Sequence, residues 1–495
     1  DVPFNSWEFA DFTAATGANT ATNTDALSGY YYQYFRKNIS YFGRLNYDYN
    51  EKYLASVSAR RDGSIAFGNE NQFGNFYATS LGWVASNEKF FKSKLINFLK
   101  IRGSYGTTGN ENVNPQFVGI ITGGPSYGPT ANSNGYSFGE VFTTGSTIGS
   151  AANNALRWEK QVQSNIGFDL TFANNHFTIN ADYFNKSVDG LLFTPSASLY
   201  LGTVPIPQAN IGTTKSSGFD VTLNYRNSPN KKVQFNSALT FTTATNEVTS
   251  TNSDGTAKIL GGYYFNGQSQ SVTVFEKGFT PGYFYGFKTN GLFQNAAEVA
   301  AAPKQAGAQP GDIKYVDMNG DNVIDALDKT KIGDPFAKFT LGWNVNVQVG
   351  NFDFVSFVYA SVGNDLIRNY ERTENKLNKL NYQLDRWTGE GTSNSVPRVT
   401  TGASSNNLFS SYFVEDASFL RIQNIQLGYS LPKKIIETVG ISKFRLYGSI
   451  NNVYTFSKYR GFDATANTGD PISGGIDSGF YPTPRIFSLG LNVNF

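Results

Sequence analysis

Residues Asp317 to Asp328 spell DMNGDNVIDALD, and their side chains could do one kind of chemistry. Asp317, Asn319, Asp321, Asp325 and Asp328 stand at positions one, three, five, nine and twelve of the run, and Val323 offers its carbonyl at position seven. Calcium takes about six to eight hard oxygen ligands, and a calcium loop supplies them at these offsets. Asn322 holds the position where such loops use glycine for a left-handed turn, a conformation asparagine tolerates better than most residues. Asp328 is shorter than the usual bidentate glutamate, so the set predicts weak affinity. A solvated Asp/Asn-rich turn that holds no ion is the competing reading of so short a motif.

Nothing else in the composition favours catalysis or redox chemistry. The 495 residues contain no cysteine, one histidine (His176) and one methionine, which excludes disulfides, thiolate chemistry and a multi-histidine zinc site. A histidine-relayed nucleophile would depend on His176 alone, and neither a P-loop nor a G-x-S-x-G elbow occurs, so an enzyme is not expected. A net charge of +2 gives no clustered basic surface for nucleic acid. No run approaches the roughly 18 apolar residues of a membrane helix.

The elements that must position the Asp-rich loop are strands. From Phe339 to Val349, apolar Phe339, Leu341, Trp343, Val345, Val347 and Val349 alternate with polar or small Thr340, Gly342, Asn344, Asn346 and Gln348. Phe487 to Phe495 repeats the pattern, and alternation of this kind places successive side chains on opposite faces of a sheet. The same periodicity predicts strands at Ile39–Tyr49, Tyr53–Arg61, Phe76–Ala85, Leu99–Thr107, Val162–Phe172, Phe177–Lys186, Phe219–Tyr225, Val233–Thr243, Phe352–Ala360, Phe419–Ser430 and Phe444–Tyr454. That makes about 13 strands, each about long enough to cross a bilayer at a tilt. A change of register between Ile422 and Ile425 predicts a bulge.

The connections alternate between short and long. Short links fall at 50–52, 86–98, 173–176, 226–232, 350–351 and 431–443; long ones at about 62–75, 108–161, 187–218, 244–338, 361–418 and 455–485. A meander with turns at one end and long loops at the other is the pattern of an outer-membrane barrel, whose long loops face outward. The expected fold is therefore all-β, a transmembrane antiparallel up-and-down barrel. An odd strand count does not close the usual even-numbered barrel, so residues 1–495 are expected to be the C-terminal portion of one barrel. The Asp-rich loop then lies outside the cell, in the 244–338 connection. It runs through KTKIGDPFAKF straight into a strand, without the flanking helices of a sensor, which predicts a structural ion stiffening an extracellular loop.

Gly286 to Phe293, GFKTNGLF, followed by PGDIKYVDMNGDNVIDALDKTKIGDP from Pro310 to Pro335, resembles the signature of SusC/RagA-like TonB-dependent outer-membrane transporters. Further similarity lies in LKIRGSYGTTGN (Leu99–Asn110), LRWEKQVQSNIGFDL (Leu156–Leu170), NIGTTKSSGFDVTL (Asn210–Leu223), FLRIQNIQLGYSLP (Phe419–Pro432), LYGSINNVYTFSKYRGFDA (Leu446–Ala464) and YPTPRIFSLGLNVNF (Tyr481–Phe495). Departures are small: Asn322 replaces a glycine, and Phe336 to Lys338 alters the end of the signature. The resemblance implies a barrel of about 22 strands, of which these would be the last, with a plug, a TonB box and the first strands outside this chain. It also implies active import of oligosaccharides or peptides across the outer membrane of a Gram-negative bacterium. Its implied partners are a SusD-like surface lipoprotein, the TonB complex acting through the missing N-terminal part, and outer-membrane lipid, with a dimer of SusC–SusD units as the assembly. A structural or adhesive surface protein without transport is the alternative.

Aromatic side chains divide by position. Trp83 and Trp343 sit on predicted strands, where an interfacial belt is the default. Trp158, Trp387, Tyr263, Tyr264 and Tyr412 sit on or beside long loops, where their rings either stack on a sugar or peptide or pack loop against loop. Asn344, Asn346 and Gln348 are expected to line the lumen.

Overall fold

The structure is a computed structural model that describes residues 37–68, 70–112, 120–123, 135–138, 141–144, 146–150, 153–193, 208–227, 232–251, 257–262, 264–371, 379–400, 404–436, 438, 440–466 and 472–495. One antiparallel sheet of 13 strands runs through it in sequence order. Its strands are β1 (Asn38–Tyr49), β2 (Tyr53–Ser64), β3 (Phe73–Val84), β4 (Ile96–Asn110), β5 (Glu159–Phe172), β6 (Phe177–Phe193) and β7 (Ala209–Arg226). They continue as β8 (Val233–Ser250), β9 (Phe339–Val349), β10 (Phe352–Val362), β11 (Phe419–Ser430), β12 (Lys443–Ser457) and β13 (Ile486–Asn494). Each pairs with its neighbour in the chain, and β1 does not pair with β13, so the sheet is an open wall rather than a closed barrel.

Register follows the alternation. Strand β8 meets β9 from Val233↔Val349 to Thr243↔Phe339, so Phe235, Leu239 and Phe241 share a face with Val347, Trp343 and Leu341. That face is bare: Leu45, Leu81 and Leu489 are 71%, 66% and 89% exposed. So large an apolar surface belongs against lipid rather than water. Rings gather on it near the short turns, where Phe172 lies 5.3 Å from Phe177, Phe177 4.8 Å from Tyr225, and Tyr225 5.8 Å from Phe235, a girdle across β5 to β8. No helix among the described residues is long and apolar enough to cross a membrane.

The short turns are built from residues that accept left-handed backbone. Asn50 and Glu51 both have φ 53° between Tyr49 and Tyr53, and Gly350 has φ 57° between β9 and β10. The expected bulge in β11 is present: Phe357 and Val358 of β10 pair with Asn424 and Ile422, leaving Gln423 as the extra residue, and β12 carries an extra residue of its own there, beside Asn452 at φ 54°.

At the long-loop end several strands outrun the expected boundaries. Strand β6 continues to Phe193 and β7 begins at Ala209, with pairing interrupted only by register shifts at Gly190 and Ile211, while β8 reaches Ser250. The segments VDGLLF and ANIGTTKSSG carry no apolar alternation, because beyond the bilayer neither face must be oily, yet the backbone ladder persists. The six long connections shrink accordingly, to 65–72, 111–158, 194–208, 251–338, 363–418 and 458–485.

Three of those connections fold together. Connection 251–338 forms a small sheet from Ile259–Gly261, Thr273–Phe275, Tyr283–Phe287 and Lys329–Gly333. Asp365–Arg368 pairs with Val414–Asp416 and, in parallel, with Ile476–Asp477. Phe265, Val272, Phe284, Ile367, Phe409, Phe413 and Ile476 make one buried cluster drawn from all three connections. The result is a packed loop body above the wall.

Candidate functional site: the polar wall and the loop body

The wall's other face is polar. On it, the Arg102 guanidinium on β4 donates two hydrogen bonds of 2.6 Å to Asp182 on β6, and its Nε is shared between the two oxygens of Asp169 on β5 at 3.1 and 3.3 Å. Asn180 donates to the same Asp169 at 2.8 Å. Gly167 lies between the strands that Arg102 and Asp182 occupy, and a Cβ there would stand 2.3 Å from Asp182 Oδ1. The motif recurs on β10 to β12, where Arg445 donates to Asp353 at 2.8 and 2.5 Å across Gly428. Asn344, Asn346 and Gln348 lie on the face opposite the valines of β9, as the alternation predicts.

At the short-turn end Glu88 accepts from the Tyr53 hydroxyl at 2.7 Å, Lys52 Nζ at 3.0 Å and the Trp83 indole at 3.3 Å. The Tyr53 and Lys52 hydrogen bonds hold its carboxyl below the ordinary glutamate range. Trp83 thus sits at the strand end as expected. Trp343 lies within β9, with its N–H on Ser237 Oγ of the neighbouring strand at 2.9 Å.

In the loop body Arg368 is fully buried. Its Nη1 donates to Glu415 at 2.6 Å, its Nε lies 2.7 Å from Glu371, and its guanidinium rests against the rings of Tyr382, Tyr412 and Phe413. Arg460 closes the network on Glu415, at 3.0 Å from both its backbone N–H and its Nε. Burial works to raise the Glu415 pKa, and the Arg460 hydrogen bonds with the Arg368 charge overcome it, leaving the carboxyl below its ordinary range. A second lock joins Arg421 to Asp463 at 2.6 Å, with Thr465 and Thr483 also donating to that carboxylate.

Three of the loop aromatics that the sequence left open, Trp158, Trp387 and Tyr412, pack against other loop residues. Trp158 lies 5.2 Å from Phe67 and 5.6 Å from Phe76, and its indole donates to the Gln72 carbonyl. Trp387 packs against the cluster of Phe287, Leu292, Ile313 and Tyr315, and Tyr412 packs on Phe413 at 4.8 Å. Tyr264 pairs with Ser269 in a small hairpin, and Tyr263 lies outside the described residues.

The Asp-rich loop closes on its own backbone. Asp317 accepts from the N–H groups of Gly320 (2.6 Å) and Asn322 (2.8 Å), Asn319 from Asp321, and Asp321 from Val323. Asp325 accepts from Leu327, and fully buried Asp328 takes Met318 at 2.7 Å and Asp325 at 2.9 Å. Asn322 has φ 64°, the left-handed turn its position calls for. The donor set is all oxygen and so has the chemistry for calcium, but among the described residues no three Asp, Glu, His or Cys side chains converge to hold an ion. Ion binding would have to draw the Asp317, Asp321 and Asp328 carboxylates closer together.

The family model described as TonB dependent receptor-like, beta-barrel, matches residues 3–334. TonB-dependent receptor P3 of Formosa agariphila is 31% identical over 471 residues, covering 92% of this chain and 45% of the relative. TonB-dependent receptor SusC of Bacteroides thetaiotaomicron is 30% identical over 475 residues, covering 92% and 44%. Among solved structures, the RagAB peptide transporter superposes with a TM-score of 0.75 at 23% identity, covering 93% of this chain and 47% of that one. The RagAB peptide importer in its closed-closed state gives 0.73 at 25%, covering 92% and 48%. The chain spans about half the length of the curated relatives it matches. It belongs to the TonB-dependent receptor β-barrel family, in the company of SusC and RagA, outer-membrane proteins of Gram-negative bacteria that cross the bilayer by strands.

Proposed function

We propose that this wall is part of an active importer that carries oligosaccharides or peptides across the outer membrane, driven through TonB and fed by a SusD-like surface lipoprotein. The observation that carries the reading is the two-faced wall: oily on one side, lined by Arg102, Asp182, Arg445 and Asp353 on the other, and crowned at the long-loop end by a packed body. A wide barrel of this kind is normally occluded by a plug, so passage needs an energy source rather than diffusion. The loop body offers a firm rim on which a lipoprotein can sit. Among the similar structures RagAB is named for peptides, while the oligosaccharide class comes from the resemblance alone.

A calcium ion at Asp317–Asp328 is a subsidiary proposal, supported by the oxygen donors at the calcium offsets and by the left-handed Asn322. Its role would be to stiffen the outer loop. The test of the main reading is uptake of labelled oligosaccharides and peptides by cells lacking the gene and by cells restored with the full-length protein, with and without a proton-motive force. Uptake that is lost, restored and energy-dependent supports it. Unchanged uptake with lost surface adhesion points to the adhesive alternative.

A further inference from the structure

A cavity of about 670 Å³ opens in the loop body beside the buried Arg368 network, within the size range of small-ligand sites. Tyr412 and Phe413 line it, and its walls carry Asn266, Lys379, Arg386 and Arg398 together with the acidic Glu371. Most of its charges already have partners. Glu371 is held by Arg368 and by the Tyr382 hydroxyl, and Arg398 is held by buried Asp312 at 2.7 Å.

Two groups are left over. Among the described residues the Arg386 side chain makes one hydrogen bond, a long one of 3.5 Å to the Gln383 carbonyl, and no ion pair. Asn266 is only 7% exposed, and its side-chain oxygen has no donor, although its backbone N–H is held by Asn369 at 3.0 Å. An unpaired guanidinium asks for a carboxylate, and a buried unpaired amide oxygen asks for an N–H or O–H. One end of a peptide offers both, a main-chain N–H and a terminal carboxylate. A neutral oligosaccharide offers hydroxyl donors but no anion.

We propose that this cavity binds the carboxylate end of a peptide, with Arg386 taking the carboxylate and Asn266 accepting from the peptide N–H. Leu384 and Val399, which also line the cavity and are 76% and 67% exposed, give apolar side chains of the peptide a surface to cover. The proposal rests on the import reading and narrows it toward peptides.

The test is binding to the purified full-length protein in detergent, which needs neither TonB nor transport. The probes are the peptide Ala-Leu-Ala-Leu with a free C-terminus, the same peptide amidated, and maltotetraose. The free acid should bind about tenfold or more tightly than the amide. Arg386→Gln should erase that difference while Arg386→Lys keeps part of it, and Asn266→Leu should weaken acid and amide alike. Heat-modifiable gel migration shows that each variant is folded. Equal binding of acid and amide, discrimination that survives Arg386→Gln, or binding of maltotetraose alone would overturn the assignment. Peptide binding without energised uptake would instead count against the import reading, so the two failures are distinguishable.

Discussion

Arg102 and Asp182 sit on strands that do not touch, β4 and β6, yet two hydrogen bonds of 2.6 Å join them across Gly167 of the strand between. The missing side chain at Gly167 makes the reach possible. Gly428 serves the same purpose under Arg445 and Asp353, so two positions of the polar wall are fastened over three strands at a time.

Gly167→Val should therefore break the clasp. Its Cβ would meet Asp182 Oδ1 at 2.3 Å and the Ala181 carbonyl at 2.6 Å, and overpacking of this kind costs about 1–3 kcal/mol. The midpoint of thermal loss of the heat-modifiable folded band should fall, while the same change at Gly43, which has nothing within 4 Å, should leave it close to wild type.

Arg368→Met should loosen the loop body without unfolding the wall. It takes from Glu371 and Glu415 the buried cation between them, leaving Glu371 to Tyr382 and Glu415 to Arg460, and removing one partner of a buried pair costs about 3–5 kcal/mol. Hydrogen exchange should rise in 363–371, 405–417 and 472–480 while strands β4 to β8 stay protected. Uniform loss of protection would contradict the separation of loop body from wall.

The Arg421–Asp463 lock fixes a pH dependence. Burial works to raise the Asp463 pKa, but hydrogen bonds from Thr465, Thr483 and Arg421 hold the carboxyl far below the ordinary aspartate range. A carboxylate depressed in the folded state stabilises it fully above the unfolded aspartate pKa, about 3.9, and that contribution is lost as the pH falls below it toward the folded value. Protease nicking of 458–466 should accordingly be flat from neutral pH down to about 5 and rise below about 4. Asp463→Asn should be nicked more readily at neutral pH and lose most of the acid response.

The sequence displayed the wall far better than the loops. Phe339–Val349 and Phe419–Ser430 appear with the bounds their alternation predicts, because a lipid face and a polar face impose period two on every residue between them. That pressure stops at the membrane surface, which is why Lys186 and Phe219 looked like strand ends when β6 and β7 run on to Phe193 and back to Ala209. Phe284, Ile367, Phe409 and Ile476 meet in one cluster from three separate connections, and no local period announces such a meeting. The Asp-rich loop was legible as an oxygen donor set and a left-handed turn. The capture of its carboxylates by backbone N–H groups was not, since spacing alone serves an ion and a self-closed turn equally.

If the Asp-rich loop holds calcium, millimolar calcium should slow proteolysis within 317–328, chelation should reverse the effect, and Asp317→Asn with Asp321→Asn should abolish it. Proteolysis indifferent to calcium would mean that the backbone hydrogen bonds alone hold this loop.

On the proposed reading the two-faced wall belongs to an energised importer. Uptake of labelled peptides and oligosaccharides by a deletion strain restored with the full-length protein tests it most directly. Uptake should return with the protein and disappear when the proton-motive force is collapsed; uptake that is the same with and without the protein would rule out the import reading.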